Sequence, residues 1–99
     1  MLRPSAIALT LILPLSVQAQ SKQEDCGYQG QVAKAIQDAR LARVKEGDVA
    51  SHIAAQSPSW PDKYNTAIPL MTPWVYEQRM RDLRREDLGV LWTTMCMAG

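Results

Sequence analysis

The sequence has little of what most catalytic and metal sites need. Among its 99 residues there is no phenylalanine, one histidine and two cysteines. The cysteines, Cys26 and Cys96, are too far apart for the C-x-x-C spacing of a redox pair. They also lack the locally spaced partners of a zinc site. The five glycines are scattered, which excludes a glycine-rich phosphate loop.

Long apolar runs are absent as well. The longest is Ala6–Leu15, with ten residues including Pro14, whereas a membrane-spanning helix needs roughly 20 apolar residues. Arg3 is the only charged residue before this run, and Val17 and Ala19 follow it with the small-residue spacing of a cleavage site. This pattern predicts a secretory signal peptide at residues 1–19 rather than a membrane anchor. The mature chain, residues 20–99, is then one exported domain, periplasmic or secreted, with no stable membrane insertion.

The sequence also lacks an excess of positive or negative charge. Once Arg3 leaves with the signal peptide, ten basic and ten acidic residues remain, so the formal net charge of the mature chain is zero. No global field would attract such a chain to nucleic acid or to an anionic membrane. We therefore expect no nucleic-acid partner.

The two cysteines that are present fit an oxidising compartment. Two cysteines are the minimum for one disulfide, and an 80-residue domain commonly needs such a cross-link for stability. We therefore predict a structural disulfide between Cys26 and Cys96, against the alternatives of a reactive thiol pair or a metal site. On the loop-entropy model, closing about 70 residues stabilises the fold by roughly 4 kcal/mol.

Apolar residues recur at helical spacing, and no segment alternates with a period of two. The sequence predicts an all-α fold, a small bundle of four to five helices closed by one disulfide. The first helix is predicted from residue 26 or 27 to residue 46, with Gly47 as its left-handed stop and Asp48 as the next N-cap. Within that helix, Gly30 indicates a frayed first turn or a close helix contact. The second helix is predicted at residues 49–56.

Four prolines punctuate residues 57–74. They predict a loop to about Trp60, a short helix that ends or kinks near Pro69, and a new helix that starts at Thr72-Pro73 and reaches Arg84. A last helix is predicted after Glu86-Asp87. Its expected buried face consists of Leu88, Leu91, Trp92 and Met95.

Candidate catalytic groups are few. His52 lies four residues after Asp48, but one histidine with one carboxylate is an incomplete metal or base site, and Asp48 is explained as a cap. The carboxylate pairs Glu24-Asp25 and Glu86-Asp87 sit at polar helix starts, where solvent keeps both groups ionised. We therefore predict a protein that is not an enzyme and uses no cofactor or metal.

Two groups of residues are candidate interaction surfaces. Trp60, Tyr64 and Trp74 lie in or beside the proline-rich segment, where stiff aromatics make good binding anchors; the alternative is that they close a small core. Arg81, Arg84 and Arg85 form a candidate basic patch for a phosphate or an acidic partner. Its alternative is a solvated face with local ion pairs, among them Glu77 with Arg81.

Three stretches carry a resemblance: Ala35–Arg40, Ile68–Tyr76 and Leu88–Cys96. Their layout resembles small exported two-cysteine α-helical bacterial proteins of unassigned function, over nearly the whole mature chain. In size and single bridge the chain is also similar to periplasmic acid-stress chaperones and to helical immunity proteins. The resemblance implies a helical fold and carries no catalytic residue.

These observations favour a non-enzymatic exported protein that acts through protein–protein interaction, in the manner of an inhibitor or immunity protein. Its expected partner is another exported or envelope protein. One alternative is a carrier of a small apolar ligand, held between helices by Trp74, Trp92 and the methionines. The other is an acid-stress chaperone whose carboxylates lose their charge at low pH.

Overall fold

A long helix, α1, forms the centre of the fold, and the other elements pack around it. The structure, a computed structural model, describes the backbone of residues 15–99 and the side chains of residues 21–99. Residues 1–14 of the predicted signal peptide lie outside the described residues. The helices are α1 (Leu15–Leu41), α2 (Val49–Ala54), α3 (Ala67–Tyr76), α4 (Met80–Leu83) and α5 (Leu88–Ala98), with 3-10 turns at Glu46–Asp48 and Asp62–Thr66.

This architecture confirms the all-α prediction, since residues 15–99 contain five helices and no strand. Helix α1 packs mainly against α5 and α3, and also against α2, α4 and the second 3-10 turn. Apolar side chains from all of these elements meet along α1 and form one core. Its most deeply buried members are Val32, Ala33, Ile36, Ala39, Val49, Ile53, Val75 and Leu83.

Helix α1 begins at Leu15, before the predicted start at residue 26 or 27, and ends at Leu41, five residues before the predicted end at residue 46. Arg43 takes the left-handed conformation, with φ of 64°, and no described glycine has a positive φ. The Val44 amide donates to the Ala39 carbonyl and the Arg43 amide to the Arg40 carbonyl, both at 3.0 Å. This is the Schellman pattern of a helix end. The prediction that Gly47 stops the helix was therefore wrong. Asp48 occupies the N-cap position of α2 as predicted, but its side chain makes no capping hydrogen bond.

Helix α3 runs through both of its prolines, so the predicted break at Pro69 and start at Thr72 were wrong. Pro69 is the third residue of the helix, where a backbone N–H has no partner within the helix anyway. The Thr72 hydroxyl donates to the Ile68 carbonyl at 2.6 Å instead of capping a helix. Burial of Ile68, Met71, Thr72 and Val75 holds the helix together despite Pro73.

Helix α3 ends at Tyr76 and α4 begins at Met80, so the single helix predicted to reach Arg84 is two helices. The expected ion pair between Glu77 and Arg81 does not form; Arg79 instead pairs with Asp82 at 3.3 Å. Helix α5 begins as predicted. The Asp87 carboxylate accepts a hydrogen bond from the Val90 amide at 3.1 Å, which caps the helix.

The face of α5 that meets α1 differs from the predicted one. Leu88 is buried and Trp92 half-buried, but Leu91 and Met95 are 38% and 48% exposed. The reason is the close approach of Gly89 to α1, which turns Leu91 and Met95 outward.

Candidate functional site

Cys26 on α1 and Cys96 on α5 form the predicted disulfide. Their Cα atoms lie 5.5 Å apart, and 70 residues of chain separate them. Cys26 is buried and Cys96 half-buried. The bridge therefore ties the amino-terminal helix to the carboxyl-terminal one.

Next to the bridge, α1 and α5 touch through their backbones. A Cβ atom on Gly30 would overlap the Thr93 hydroxyl and lie 2.7 Å from the Gly89 carbonyl oxygen. A Cβ atom on Gly89 would lie 2.8 Å from the Gly30 carbonyl oxygen. Gly30 therefore marks a close helix contact, one of the two alternatives that the sequence left open.

The amino-terminal end of α5, away from the disulfide, is held by the buried side-chain amide of Gln37. Gln37 is 2% exposed. Its Nε2 donates to the Leu83 and Glu86 carbonyls at 2.8 and 2.6 Å, and its Oε1 accepts from the Leu88 amide at 2.9 Å. One side chain of α1 thus satisfies the end of α4 and the first turn of α5.

The three aromatic residues of the candidate interaction surface do not form an exposed surface. Trp60 and Tyr64 are 7% and 8% exposed and belong to the core. Trp74 is half-buried, and its ring centroid lies 5.4 Å from that of Trp92. The burial of Trp60 and Tyr64 favours the alternative in which these rings close the core.

Tyr64 instead ends a chain of hydrogen bonds that crosses three elements. The Trp92 indole Nε1 donates to Gln29 Oε1 at 2.8 Å, and Gln29 Nε2 donates to Asp25 Oδ2 at 3.0 Å. The Tyr64 hydroxyl donates to the other oxygen, Asp25 Oδ1, at 2.7 Å. The chain therefore joins α5, α1 and the second 3-10 turn, and it orients the Asp25 carboxylate.

The carboxylate also changes the acidity of the phenol. The hydrogen bond to Asp25 is the main cause that raises the pKa of Tyr64 from 10.0 to about 12, with burial and the negative charge of Asp25 adding to it. The neutral phenol is therefore the form that the folded protein favours.

A groove of about 450 Å³ opens beside this hydrogen-bond chain. The polar residues that line it, which make up its polar wall, are Asp25, Gln29, Lys63, Tyr64 and Thr66. The apolar residues that line it are Ala67, Leu70, Met71 and Trp92. Leu70 is 79% exposed. A smaller cleft of about 220 Å³ shares Gln29 and Trp92 with the groove and adds Met95 and Cys96.

The candidate basic patch is exposed. Arg81, Arg84 and Arg85 are exposed on or just after α4. In residues 21–99 the ion pairs are Lys34 with Asp38 and Arg79 with Asp82, so none of these three arginines is paired. Whether the patch binds a phosphate or an acidic partner stays a prediction.

The single histidine makes no contact of a catalytic kind. His52 Nε2 lies 3.1 Å from Gln56 Nε2 on the exposed side of α2. Within the described part of the chain, no three histidine, cysteine, aspartate or glutamate side chains cluster as metal ligands.

Comparison with protein-family models, with curated proteins and with solved structures finds no match to this chain. Over residues 15–99, no helix is both long and apolar enough to cross a membrane.

Sequence reasoning missed four residues of importance. The sequence places Asp25 in a polar helix start and predicts no role for Gln29, Gln37 or Leu70. One signal was available for Gln37, because it lies directly beside Ile36 and four residues after Ala33, inside the buried face. The other three depend on contacts with α5 and the second 3-10 turn, which local spacing does not encode.

Proposed function

We propose that the mature chain is a non-enzymatic exported protein, periplasmic or secreted, that binds another exported or envelope protein in the manner of an inhibitor or immunity protein. The partner inserts an apolar side chain into the groove between Leu70 and Trp92. The groove itself carries this proposal, because it brings the exposed Leu70, 79% accessible, together with Trp92 in one concave, partly apolar surface.

The surroundings of Leu70 support a macromolecular partner. The groove and the smaller cleft share Trp92, so apolar surface continues from Leu70 across Trp92 to Met95. Half-buried aromatic and methionine side chains are typical of the centre of protein interfaces. The polar wall, with Asp25 and Gln29, supplies hydrogen-bonding groups that fix the orientation of a bound segment.

Site-specific photocrosslinking tests this proposal. A photoreactive amino acid replaces Leu70 in one protein and the exposed Ala54 of α2 in a matched control. Both are irradiated in an envelope extract. We expect one adduct of defined mass with the probe at position 70 and none with the probe at position 54. An excess of unlabelled wild-type protein should prevent formation of the adduct, whereas an excess of Leu70→Glu protein should not. Equal labelling from the two positions, or none, would contradict the proposal.

A second candidate is the carrier of a small apolar ligand. One observation favours the carrier function: Met71 and Trp92 line the groove, and a carrier of an apolar ligand needs such apolar side chains. Native mass spectrometry of freshly purified protein separates the two functions. A co-purified small molecule that Leu70→Glu abolishes supports the carrier, and a bare chain contradicts it.

A further inference from the structure

The polar wall of the groove holds a fixed negative charge. Asp25 accepts one hydrogen bond on each carboxylate oxygen, from Tyr64 and from Gln29. Both donors are neutral, and Gln29 is itself held by the Trp92 indole. The carboxylate is therefore oriented without being neutralised, and each oxygen can accept a further hydrogen bond.

No basic group of residues 21–99 forms an ion pair with Asp25, since the two ion pairs there involve other acids. Lys63 lines the same groove. Its ammonium lies 5.3 Å from the centroid of the Tyr64 ring, and its side chain is exposed. Lys63 is thus an exposed positive charge over the Tyr64 ring, whereas Asp25 is a negative charge oriented by two hydrogen bonds.

Resting on the proposed function, we infer that the partner segment pairs a lysine or arginine with Asp25 while a neighbouring apolar side chain packs against Leu70, Met71 and Trp92. A half-buried carboxylate without a cation is complementary to a cation, and such charge-assisted hydrogen bonds are about twice as strong as neutral ones. The apolar residues that line the same groove then favour an apolar residue beside that cation.

Lys63 opposes this recognition. Its positive charge lines the groove and repels an incoming cation, although solvent screens the effect because the side chain is exposed. Removing that charge should strengthen binding of a cationic segment, and removing the charge of Asp25 should weaken it. The two substitutions therefore have opposite expected signs.

Three blocked peptides that differ at one position test the inference on the wild-type protein. Each has the sequence acetyl-Ala-Leu-Xaa-Ala-amide, where Xaa is lysine, norleucine or glutamate. Binding is followed by the NMR shift of the Trp92 indole N–H. We expect the lysine peptide to bind about tenfold or more tightly than the norleucine peptide, and the glutamate peptide to bind most weakly.

The variants Asp25→Asn and Lys63→Gln complete the test, with Asp62→Asn as the matched control on an exposed residue that does not line the groove. Asp25→Asn should abolish the preference for lysine, Lys63→Gln should increase it, and Asp62→Asn should leave it unchanged. The comparison of peptides needs no variant, so it stands even if Asp25→Asn fails to fold.

Equal binding of the three peptides would overturn the inference, and the groove would still be an apolar docking site. Binding of none of them would also overturn it, and the photocrosslinking at position 70 would then decide the proposed function by itself.

Discussion

At the scale of single residues, Gln37 shows how one buried amide can bind backbone groups at both ends of the connection between two helices. Helices α4 and α5 are joined by only four residues, and backbone groups at both ends of that connection face α1. Buried backbone groups without partners are costly. Gln37 supplies the partners for three of them, and it is buried without an unpaired polar atom of its own.

Replacing Gln37 by leucine keeps the approximate volume and removes these hydrogen bonds. We expect Gln37→Leu to lower the free energy of unfolding by at least about 3 kcal/mol, since each buried group left unpaired costs about 1–3 kcal/mol. Gln31→Leu, the same substitution at an exposed position of α1, should change it by less than about 0.5 kcal/mol. Urea denaturation measures both, and equal effects would refute the role given to Gln37.

Tyr64 provides a pH-dependent prediction at the same scale. Because its pKa is raised from 10.0 to about 12 in the folded protein, its contribution to stability is fully present below pH 10. It is lost as the pH rises from 10 through about 12, where the phenol ionises and can no longer donate to Asp25. Tyr64→Phe should remove this component of the alkaline loss of stability.

Denaturation at a series of alkaline pH values, for wild type and Tyr64→Phe, tests this prediction. Tyr76, whose pKa is raised mainly by burial, contributes to both proteins and cancels in the difference. Parallel curves above pH 10 would show that the bond between Tyr64 and Asp25 is absent in solution.

At the scale of elements, the contact of α1 with α5 depends on two glycines, because a Cβ atom at either position would overlap the facing helix. Gly30 and Gly89 face each other, with the carbonyl oxygen of each within 3 Å of the Cβ position of the other. Neither backbone can move away easily, because the disulfide and Gln37 hold α5 on either side of the contact.

Gly30→Ala should therefore destabilise the protein by about 1–3 kcal/mol, the usual cost of overpacking. Gly27, one turn earlier in α1, is the control. Its Cβ position has no heavy atom within 4 Å, so Gly27→Ala should stabilise α1 by about 0.5–1 kcal/mol. Thermal unfolding of the two variants should shift in opposite directions. A stabilising Gly30→Ala would mean that the helices are farther apart than described.

Much of the element order follows from local sequence. Helical spacing in α1, the capping Asp87 and the turn near Gly47 predict most of the helices because those signals are local. Helix α3 escapes such reasoning, because Pro69 lies in its first turn and burial of Met71 and Val75 outweighs the breaking tendency of Pro73. Glycine favours the left-handed conformation, which predicts Gly47 as the stop, yet Arg43 adopts that conformation at the end of α1.

The candidate site was less predictable than the fold. The composition around Trp60 and Tyr64 predicts an exposed binding loop. Both rings are instead buried, because the sequence has no phenylalanine to fill the core. The groove beside Leu70 arises where α1, α3, α5 and a 3-10 turn meet, a juxtaposition that only the fold creates.

At the scale of the whole molecule, the disulfide and the groove use the same part of α1, near its middle. Cys96 lines the cleft that adjoins it, and Cys26 directly follows Asp25 in α1. The bridge therefore holds together α1, which carries Asp25 and Gln29, and α5, which carries Trp92. Stability and the geometry of the groove depend on the same covalent link.

Replacing both cysteines by alanine should lower the free energy of unfolding by about 4 kcal/mol, since the bridge closes about 70 residues of chain. The Trp92 indole N–H should also exchange with solvent faster, as its bond to Gln29 crosses between the two helices. Denaturation and hydrogen exchange measure these effects, with the oxidised protein as reference. A loss below about 1 kcal/mol would show that packing alone closes the fold.

Site-resolved NMR can show whether the groove is the binding surface. A ¹⁵N-labelled protein of residues 20–99 is added to an unlabelled envelope extract, and perturbed signals are mapped on the structure. We expect shifts or broadening at Asp25, Gln29, Leu70 and the Trp92 indole. An unchanged spectrum, or perturbations confined to Arg81, Arg84 and Arg85, would contradict it.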